Sequence, residues 1–509
     1  MPAKNLKLLS LPALSGLLQF CCFPRVGQEH VAWFALVPLI WFVTRSISLR
    51  EAFLGGLVSG VFAWFGLLIW IPRTLQHYGG VAESLAWTLY ILLVCFLSCF
   101  PAAASILTRF CIERGGEKYL LVFPFAWVTL EYLRNYFPFG GFPWLLLGYS
   151  QTGSARLIQI ADLTGVYGMS FILVWVNAAL AWLLLHRVKG AGIWPIAAGL
   201  LMVGASAAYG RVVLGNWGRS TASCCTVAML QENLSFDEPE AVLTRKFQEG
   251  YVQMASRLTP ESVDLLILPE SPSPLTFQYD TSYRDTLKML ARRFRLGMIF
   301  NNITYTDGGG EPKYFNSAYF LGRDGQELGR YDKIHLVPFG EYVPLRRLFF
   351  FVETISKDVG DFAPGGKHVT VDMGGRRVSS IICFEAVFPE LVRHFVREGS
   401  ELIVNLTNDG WYGDSAAPYQ HLSMARWRAV ENRRYLLRAA NSGISAIIDP
   451  TGAVLASTPL LQQAVCEGRF AFRQSLTFYA RYGDVAAVLC VIIMIAVFGY
   501  NCMLSRKKA

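Results

Sequence analysis

Apolar residues in this chain gather into long unbroken runs in some regions and into short alternating stretches in others. Before residue 215 there are seven runs near the roughly 18 residues that cross a bilayer as a helix, and one more lies towards the C-terminus. They fall near 6–24, 31–45, 52–72, 83–108, 117–133, 162–185, 192–210 and 484–504, the second being short. From about 223 the pattern changes to apolar strands at 226–230, 263–268 and 296–304, interleaved with helical stretches at 238–257 and 281–294. Strand and helix taking turns predicts an α/β sheet. Residues 315–321 and 327–330, joined across Gly322-Arg323-Asp324-Gly325, read as a hairpin, and 378–383, 402–406 and 444–449 supply later strands. The expected organisation is a multi-span α-helical membrane domain over 1–215 with seven helices, an α/β domain over 223–475, an eighth span over 484–504 and a basic tail, 505–509.

Composition agrees with that division. Of 509 residues, 53% are hydrophobic and 16% charged. Soluble chains average about 45–50% apolar and about 25% charged, so the excess must face something other than water, and the bilayer is the expected surrounding. The net charge of +9, from 46 Lys and Arg against 37 Asp and Glu, raises the question of nucleic acid. The basic residues are scattered in short loops, with no basic stripe and no finger or RNA-binding signature, which excludes that partner. Aromatics at 14%, and 45 glycines without a three-residue period, exclude disorder and collagen. Lys4 and Lys7 precede the first run as in a signal peptide, but no small-residue cleavage site follows, so a retained helix is expected.

Counting basic residues in alternate loops sets an orientation. Lys4, Lys7, Arg45, Arg50, Arg109, Arg114, Lys118, Arg187, Lys189, Arg506, Lys507 and Lys508 share one side, against Arg25, Arg73, Arg134 and Arg156 on the other. The positive-inside rule then puts both termini in the cytoplasm and the α/β domain outside. Eleven cysteines show neither a disulfide framework nor a CxxC pair, so no metal site is expected.

Three strand ends carry reactive groups. The run 264–268 stops at Pro269-Glu270, aiming a carboxylate from a buried strand. The run 379–382 stops at Cys383-Phe384-Glu385, with Pro389 suited to the first turn of a helix. A cysteine at such a turn lies near helix N-terminal amides, which lower a thiol pKa and hold an oxyanion. Between them lies Tyr331-Asp332-Lys333, whose ammonium can stabilise a thiolate or a tetrahedral oxyanion. Singly, each has a plainer reading as helix cap, solvated lysine or core cysteine. Together they supply the base, nucleophile and cation that acyl transfer needs.

Leu268-Pro269-Glu270, Tyr331-Asp332-Lys333 and Cys383-Phe384-Glu385, in this order and 63 and 50 residues apart (270 to 333 to 383), resemble the Glu-Lys-Cys triad of the nitrilase superfamily. The resemblance implies an αββα sandwich for about 223–475. It also implies Glu270 as general base, Cys383 as the nucleophile that forms a thioester, and Lys333 as oxyanion stabiliser together with the Phe384 backbone N–H. Glu341 and Glu385 match further acidic positions, expected to orient Lys333 or relay a proton.

Nearly the whole chain is also similar to the bacterial apolipoprotein N-acyltransferase family. The stretches that carry this are 335–344, 405–413 with Gln420-His421, 440–445, Glu131-Tyr132-Leu133-Arg134 and 142–151. The family usually has tyrosine where this chain has Phe384, and commonly a tryptophan after Gln231-Glu232-Asn233, where this chain has no clear one and Phe236 is the candidate for that place. The similarity implies a ping-pong transfer of a fatty acyl chain from the sn-1 position of a phospholipid, phosphatidylethanolamine being expected. The acceptor is the α-amine of a diacylglyceryl-cysteine on an apolipoprotein, the last step of lipoprotein maturation. It further implies a monomer in the bacterial inner membrane with its catalytic domain periplasmic, and no cofactor. Trp144, Tyr149, Phe236, Trp411 and Tyr412 are the candidates for substrate binding, with Trp144 and Tyr149 equally suited to an interfacial aromatic belt. His335 and His421 read as structural. A membrane-anchored amidase acting on a small external amide shares the triad but needs only one anchor, and a transporter with an external sensor has no use for it.

Overall fold

The two kinds of hydrophobic pattern fold into two units: Met1–Pro72, Glu83–Gly218 and Tyr482–Ala509 form one, and Arg73–Ala82 with Arg219–Arg481 the other. The computed structural model describes residues 9–77, 79–186, 190–217, 224–235, 238–259, 262–306, 312–343 and 362–506.

The first unit is helical. Among the described residues four helices are long and apolar enough to cross a membrane: Glu83–Gly115, Ile158–His186, Trp194–Trp217 and Val485–Met503. A fifth is obtained if Leu49–Leu67 and Ile71–His77, bent by 50°, count together. The runs expected at 6–24, 31–45 and 117–133 form shorter helices, Ser10–Cys21, Val37–Arg45 and Phe123–Arg134, of 12, 9 and 12 residues. Pro38 and Pro124 sit in the first turns of the latter two, where a missing N–H costs nothing, and the residues before each form 3-10 turns, Glu29–Trp33 and Glu117–Val122. Asn177 serves the broken segment at 31–37. Its Nδ2 donates to the Ala32 carbonyl at 2.8 Å and its Oδ1 accepts from the Leu36 N–H at 2.7 Å, satisfying backbone groups that an apolar surrounding leaves dry. Leu49–Leu67 packs tightly on Glu83–Gly115 because small residues face each other. A Cβ on Gly56 would lie 2.5 Å from the Ala102 Cα, and one on Gly60 2.6 Å from the Ser98 Cα.

Among the described residues the second unit contains twelve strands: β1 (Cys225–Gln231), β2 (Leu265–Ile267), β3 (Gly297–Thr306), β4 (Lys313–Leu321), β5 (Glu327–Asp332), β6 (Val371–Asp372), β7 (Arg377–Ile382), β8 (Leu402–Thr407), β9 (Leu436–Ala440), β10 (Ala446–Ile448), β11 (Val454–Ser457) and β12 (Ala464–Phe470). They form two six-stranded sheets, ordered β12-β1-β2-β3-β4-β5 and β11-β10-β9-β8-β7-β6. The centres, β1-β2-β3 and β7-β8-β9, are parallel, and the flanks are antiparallel. The sheets face each other, β1 against β9 and β10 against β12. Outside the first sheet, helix Thr281–Phe294 presents Tyr283, Leu287, Leu290 and Phe294 to Leu266, Met298 and Phe300. Burying side chains of this kind contributes about 1.5–3 kcal/mol each, as an upper estimate. Helices Pro389–Arg397 and Ala417–Asn432 cover the other sheet. Helices thus lie outside two facing sheets: the strand and helix alternation predicts the α/β class, and the αββα layering is what the resemblance to the nitrilase superfamily implies.

Candidate active site

Strands β2 and β5 belong to one sheet and run in the same direction, so their carboxyl ends deliver the next residues to one edge. Glu270 follows β2, Lys333 follows β5, and Cys383 follows β7 of the facing sheet. All three are buried, at 5%, 1% and 5% exposure. The Lys333 ammonium donates to Glu341 Oε1 at 2.9 Å and lies 3.7 Å from Glu270 Oε1. Asn316, inside β4, donates to both carboxylates at 2.9 Å, and the Asn408 N–H donates to Glu270 Oε2 at 3.0 Å. Glu341 is held in turn by the Val337 N–H at 2.8 Å.

Cys383 stands in the left-handed region with φ of 49°, an uncommon conformation for a residue with a Cβ, at the turn from β7 into a 3-10 segment, Cys383–Val387. Glu385 braces this turn. It accepts from the Ile382 N–H at 2.7 Å, the Tyr331 hydroxyl at 2.7 Å, and the N–H groups of Ile334 and His335 at 2.8 and 3.0 Å. One fully buried carboxylate thereby ties the cysteine turn to the backbone just after Lys333. Glu341 therefore touches Lys333 directly, and Glu385 reaches it through the chain.

Burial and neighbouring charge set the proton affinities. Burial, then the Glu270 charge, pushes the Cys383 thiol well above its ordinary value, with Lys333 pulling the other way. Burial also raises Glu270, against the pull of Lys333 and with the help of Glu341. Burial alone would lower Lys333, but Glu341 and Glu270 outweigh it and leave the ammonium raised and protonated. Burial and charge thus favour a thiol that keeps its proton, beside a Glu270 side chain of heightened proton affinity and a fixed cation. A proton can pass from sulfur to carboxylate as the thiolate attacks, and an oxyanion formed there would meet the cation.

Residues 15–179 match the apolipoprotein N-acyltransferase N-terminal domain, and residues 226–471 match the carbon-nitrogen hydrolase family. An apolipoprotein N-acyltransferase of Geobacter metallireducens is 39% identical, over 94% of this chain and 92% of its own. The chain belongs to the apolipoprotein N-acyltransferase family. Another family member, from Methylococcus capsulatus, is 34% identical over 96% of this chain and 95% of its own. Among solved structures, an amidase from Nesterenkonia sp. AN1 is similar at 19% identity, covering 52% of this chain and 95% of that one with a TM-score of 0.39.

The remaining sequence candidates divide. Phe384 is buried beside Phe388 and His335, with ring centroids 5.1 and 6.4 Å away. Trp411 and Tyr412 form the turn after β8, where Thr74 Oγ1 donates to the Trp411 carbonyl at 2.9 Å. Trp144 and Tyr149 belong to the helical unit and are buried in it at 1% exposure each, Trp144 stacked on Phe142 at 6.1 Å. They are interior side chains of that unit and not an exposed aromatic belt. Phe236 lies outside the described residues. Sequence reasoning missed Asn316, the donor shared by the two carboxylates, which stands mid-strand with no motif around it. It also missed Tyr331 as a partner of Glu385, though Tyr331 lies in the quoted Tyr-Asp-Lys triplet. Among the described residues no group of three or more His, Cys, Asp or Glu side chains is arranged to hold a metal ion.

Proposed function

We propose that this protein is an N-acyltransferase that moves a fatty acyl chain from a phospholipid to the N-terminal amine of a diacylated apolipoprotein, through a thioester on Cys383. The observation that carries the reading is the buried cluster of Glu270, Lys333 and Cys383 in a chain that also contains membrane-length apolar helices. Family membership over nearly the full length favours this reaction over hydrolysis of a small amide.

In the first half-reaction Glu270 takes the thiol proton as sulfur attacks the ester carbonyl at sn-1. The resulting oxyanion is stabilised by the Lys333 ammonium and the Phe384 N–H. The carbon–oxygen bond then breaks, and the leaving alkoxide receives the proton from Glu270, releasing lysophospholipid. In the second half-reaction the α-amine of the diacylglyceryl-cysteine attacks the thioester, Glu270 accepts its proton, and the carbon–sulfur bond breaks. Glu270 returns that proton to sulfur, so no cofactor is consumed. Burial of the cluster excludes water, which would hydrolyse the thioester.

The reading includes phosphatidylethanolamine as donor, a monomer, and eight passages through the inner membrane with seven before residue 215 and one at 484–504. It places the 223–475 domain on the periplasmic face, both termini and the 505–509 tail in the cytoplasm, and Trp411 and Tyr412 against the substrate. Peptide mass spectrometry of the protein purified from its membrane tests it. A hydroxylamine-labile fatty-acyl mass on the Cys383 peptide, absent from Cys383→Ala, is expected. An unmodified Cys383 after incubation with phospholipid would refute it and favour the amidase.

A further inference from the structure

Behind the cysteine turn lies a charged network in which no side chain reaches solvent. Asp409, from the turn after β8, His421, from helix Ala417–Asn432, and Arg438, from β9, are each 0% exposed. Arg438 Nη2 donates to Asp409 Oδ2 at 2.6 Å and stands 3.1 Å from His421 Nδ1. Arg438 Nη1 donates to Asn405, and Thr407 Oγ1 donates to Asp409 Oδ1 at 3.2 Å. His421 Nδ1 is 3.0 Å from Asp409 Oδ1, and His421 Nε2 is 3.1 Å from the backbone carbonyl oxygen of Cys383. A carbonyl only accepts, so Nε2 carries the proton whichever form the ring takes.

That carbonyl belongs to the peptide unit whose other end is the Phe384 N–H. A trans peptide is planar, with C=O and N–H pointing in opposite directions, so holding the oxygen in place holds the N–H as well. Donation to the oxygen also polarises the amide and strengthens its N–H as a donor. The left-handed φ at Cys383 makes an external hold necessary, since a residue with a Cβ occupies that region only when its surroundings impose it.

We propose that His421, oriented by Asp409 and Arg438, is a positioning residue for the oxyanion hole, acting through the Cys383–Phe384 peptide on the N–H that faces the developing charge. The inference rests on the proposed reading of Cys383 as the nucleophile and of the Phe384 N–H as an oxyanion donor. Its effect is confined to the step in which an oxyanion forms, so it separates from the reactivity of the sulfur itself.

The test compares His421→Phe and His421→Gln with the parent protein in detergent, using phosphatidylethanolamine as donor and a diacylated lipopeptide as acceptor. His421→Phe removes the donor, whereas the Gln side-chain amide reaches the place of Nε2. Loss of a whole oxyanion-hole donor costs about 10²–10³ in kcat, and loss of its support is expected to cost about 10- to 100-fold with KM little changed. His421→Gln retains a donor at that place and is expected to stay within about threefold of the parent, a small change beside the factor of about 10²–10³ lost with a whole oxyanion-hole donor. Alkylation of Cys383 by iodoacetamide, followed on its peptide by mass spectrometry, forms no oxyanion and should proceed at the parent rate in both variants. A parent-level kcat in His421→Phe overturns the proposal. So does a parallel fall of transfer and alkylation in both variants, which marks a merely structural role. If His421→Phe does not accumulate, His421→Gln decides alone, a loss beyond about tenfold overturning the proposal. Transfer that survives Cys383→Ala would overturn the assignment of Cys383 instead.

Discussion

Replacing Glu341 by glutamine separates what charge does in the site from what shape does. The Lys333 side chain is 1% exposed and Glu341 13%, with 2.9 Å between Nζ and Oε1. Removing one member of a buried ion pair costs about 3–5 kcal/mol. Glu270 remains 3.7 Å from the ammonium as a second carboxylate, which places the cost near the lower end, about 3 kcal/mol. The amide also brings an NH2 group to a position where Lys333, Asn316 and the Val337 N–H all donate, so at least one of these loses its acceptor. The electrostatic consequence has a definite sign. Glu341 raises the proton affinity of Glu270 and Lys333 lowers it, so Glu341→Gln removes the first influence and keeps the second. Glu270 then stays ionised to lower pH, and the acid limb of the kcat/KM profile moves to lower pH. The rate at the plateau falls by about 10- to 100-fold, because Lys333 is drawn towards Glu270 and away from the oxyanion, short of the 10²–10³ lost with a whole donor. The assay is acyl transfer from phosphatidylethanolamine to a diacylated fluorescent peptide, measured across the pH range on purified protein. An acid limb that stays in place, or moves to higher pH, would refute the reasoning.

Two other substitutions probe the frame around the site. Glu385→Ala removes the carboxylate acceptor of four donors, of which the Ile382 N–H and the Tyr331 hydroxyl are buried, each costing about 1–3 kcal/mol when left unsatisfied. The variant is expected to lose about 2–6 kcal/mol, read as a fall in the thermal unfolding midpoint, whereas an exposed Glu327→Ala control should leave it in place. For Asp409, burial would raise the carboxyl, but Arg438 and His421 outweigh it and hold it down at about 2 from an ordinary 3.8. A depressed carboxylate pKa contributes stability that is complete above the ordinary value and is lost as pH falls through the depressed one. The catalytic unit should therefore lose on the order of 2 kcal/mol between about pH 4 and pH 2 from this group. Near-ultraviolet circular dichroism during acid titration reads this, and an Asp409→Asn variant with the same acid transition as the parent would contradict it.

Much of the molecule is legible in its local patterns. The change from long apolar runs to short alternating strands marks two kinds of structure, because a helix in lipid must bury its whole circumference while a strand in a sandwich repeats every two or a few residues. Glu270, Lys333 and Cys383 are readable for a related reason. Each stands where an apolar strand stops, and strand ends are where such sheets expose chemistry. The lengths of the apolar helices were less legible. Hydropathy does not register that Pro38 and Pro124 start helices partway along their runs, leaving elements of 9 and 12 residues.

What the sequence by itself determined is therefore the class of each region, the order of the strands that carry reactive side chains, and the identity of those side chains. Only the tertiary structure decided which polar groups serve them. Asn316 meets Glu270 and Glu341 because β4 pairs antiparallel with both β3 and β5, a register that no local pattern encodes. Arg438 reaches Asp409 because β9 lies beside β8, and His421 reaches the Cys383 carbonyl from a helix that covers the same sheet. Trp144 is interior for the same kind of reason, since its surroundings are assembled from distant parts of the chain. Hydrophobic period is a short-range property that a segment carries alone. A buried hydrogen bond depends on which face and which register bring two distant segments together, and folding settles that only when the whole core closes.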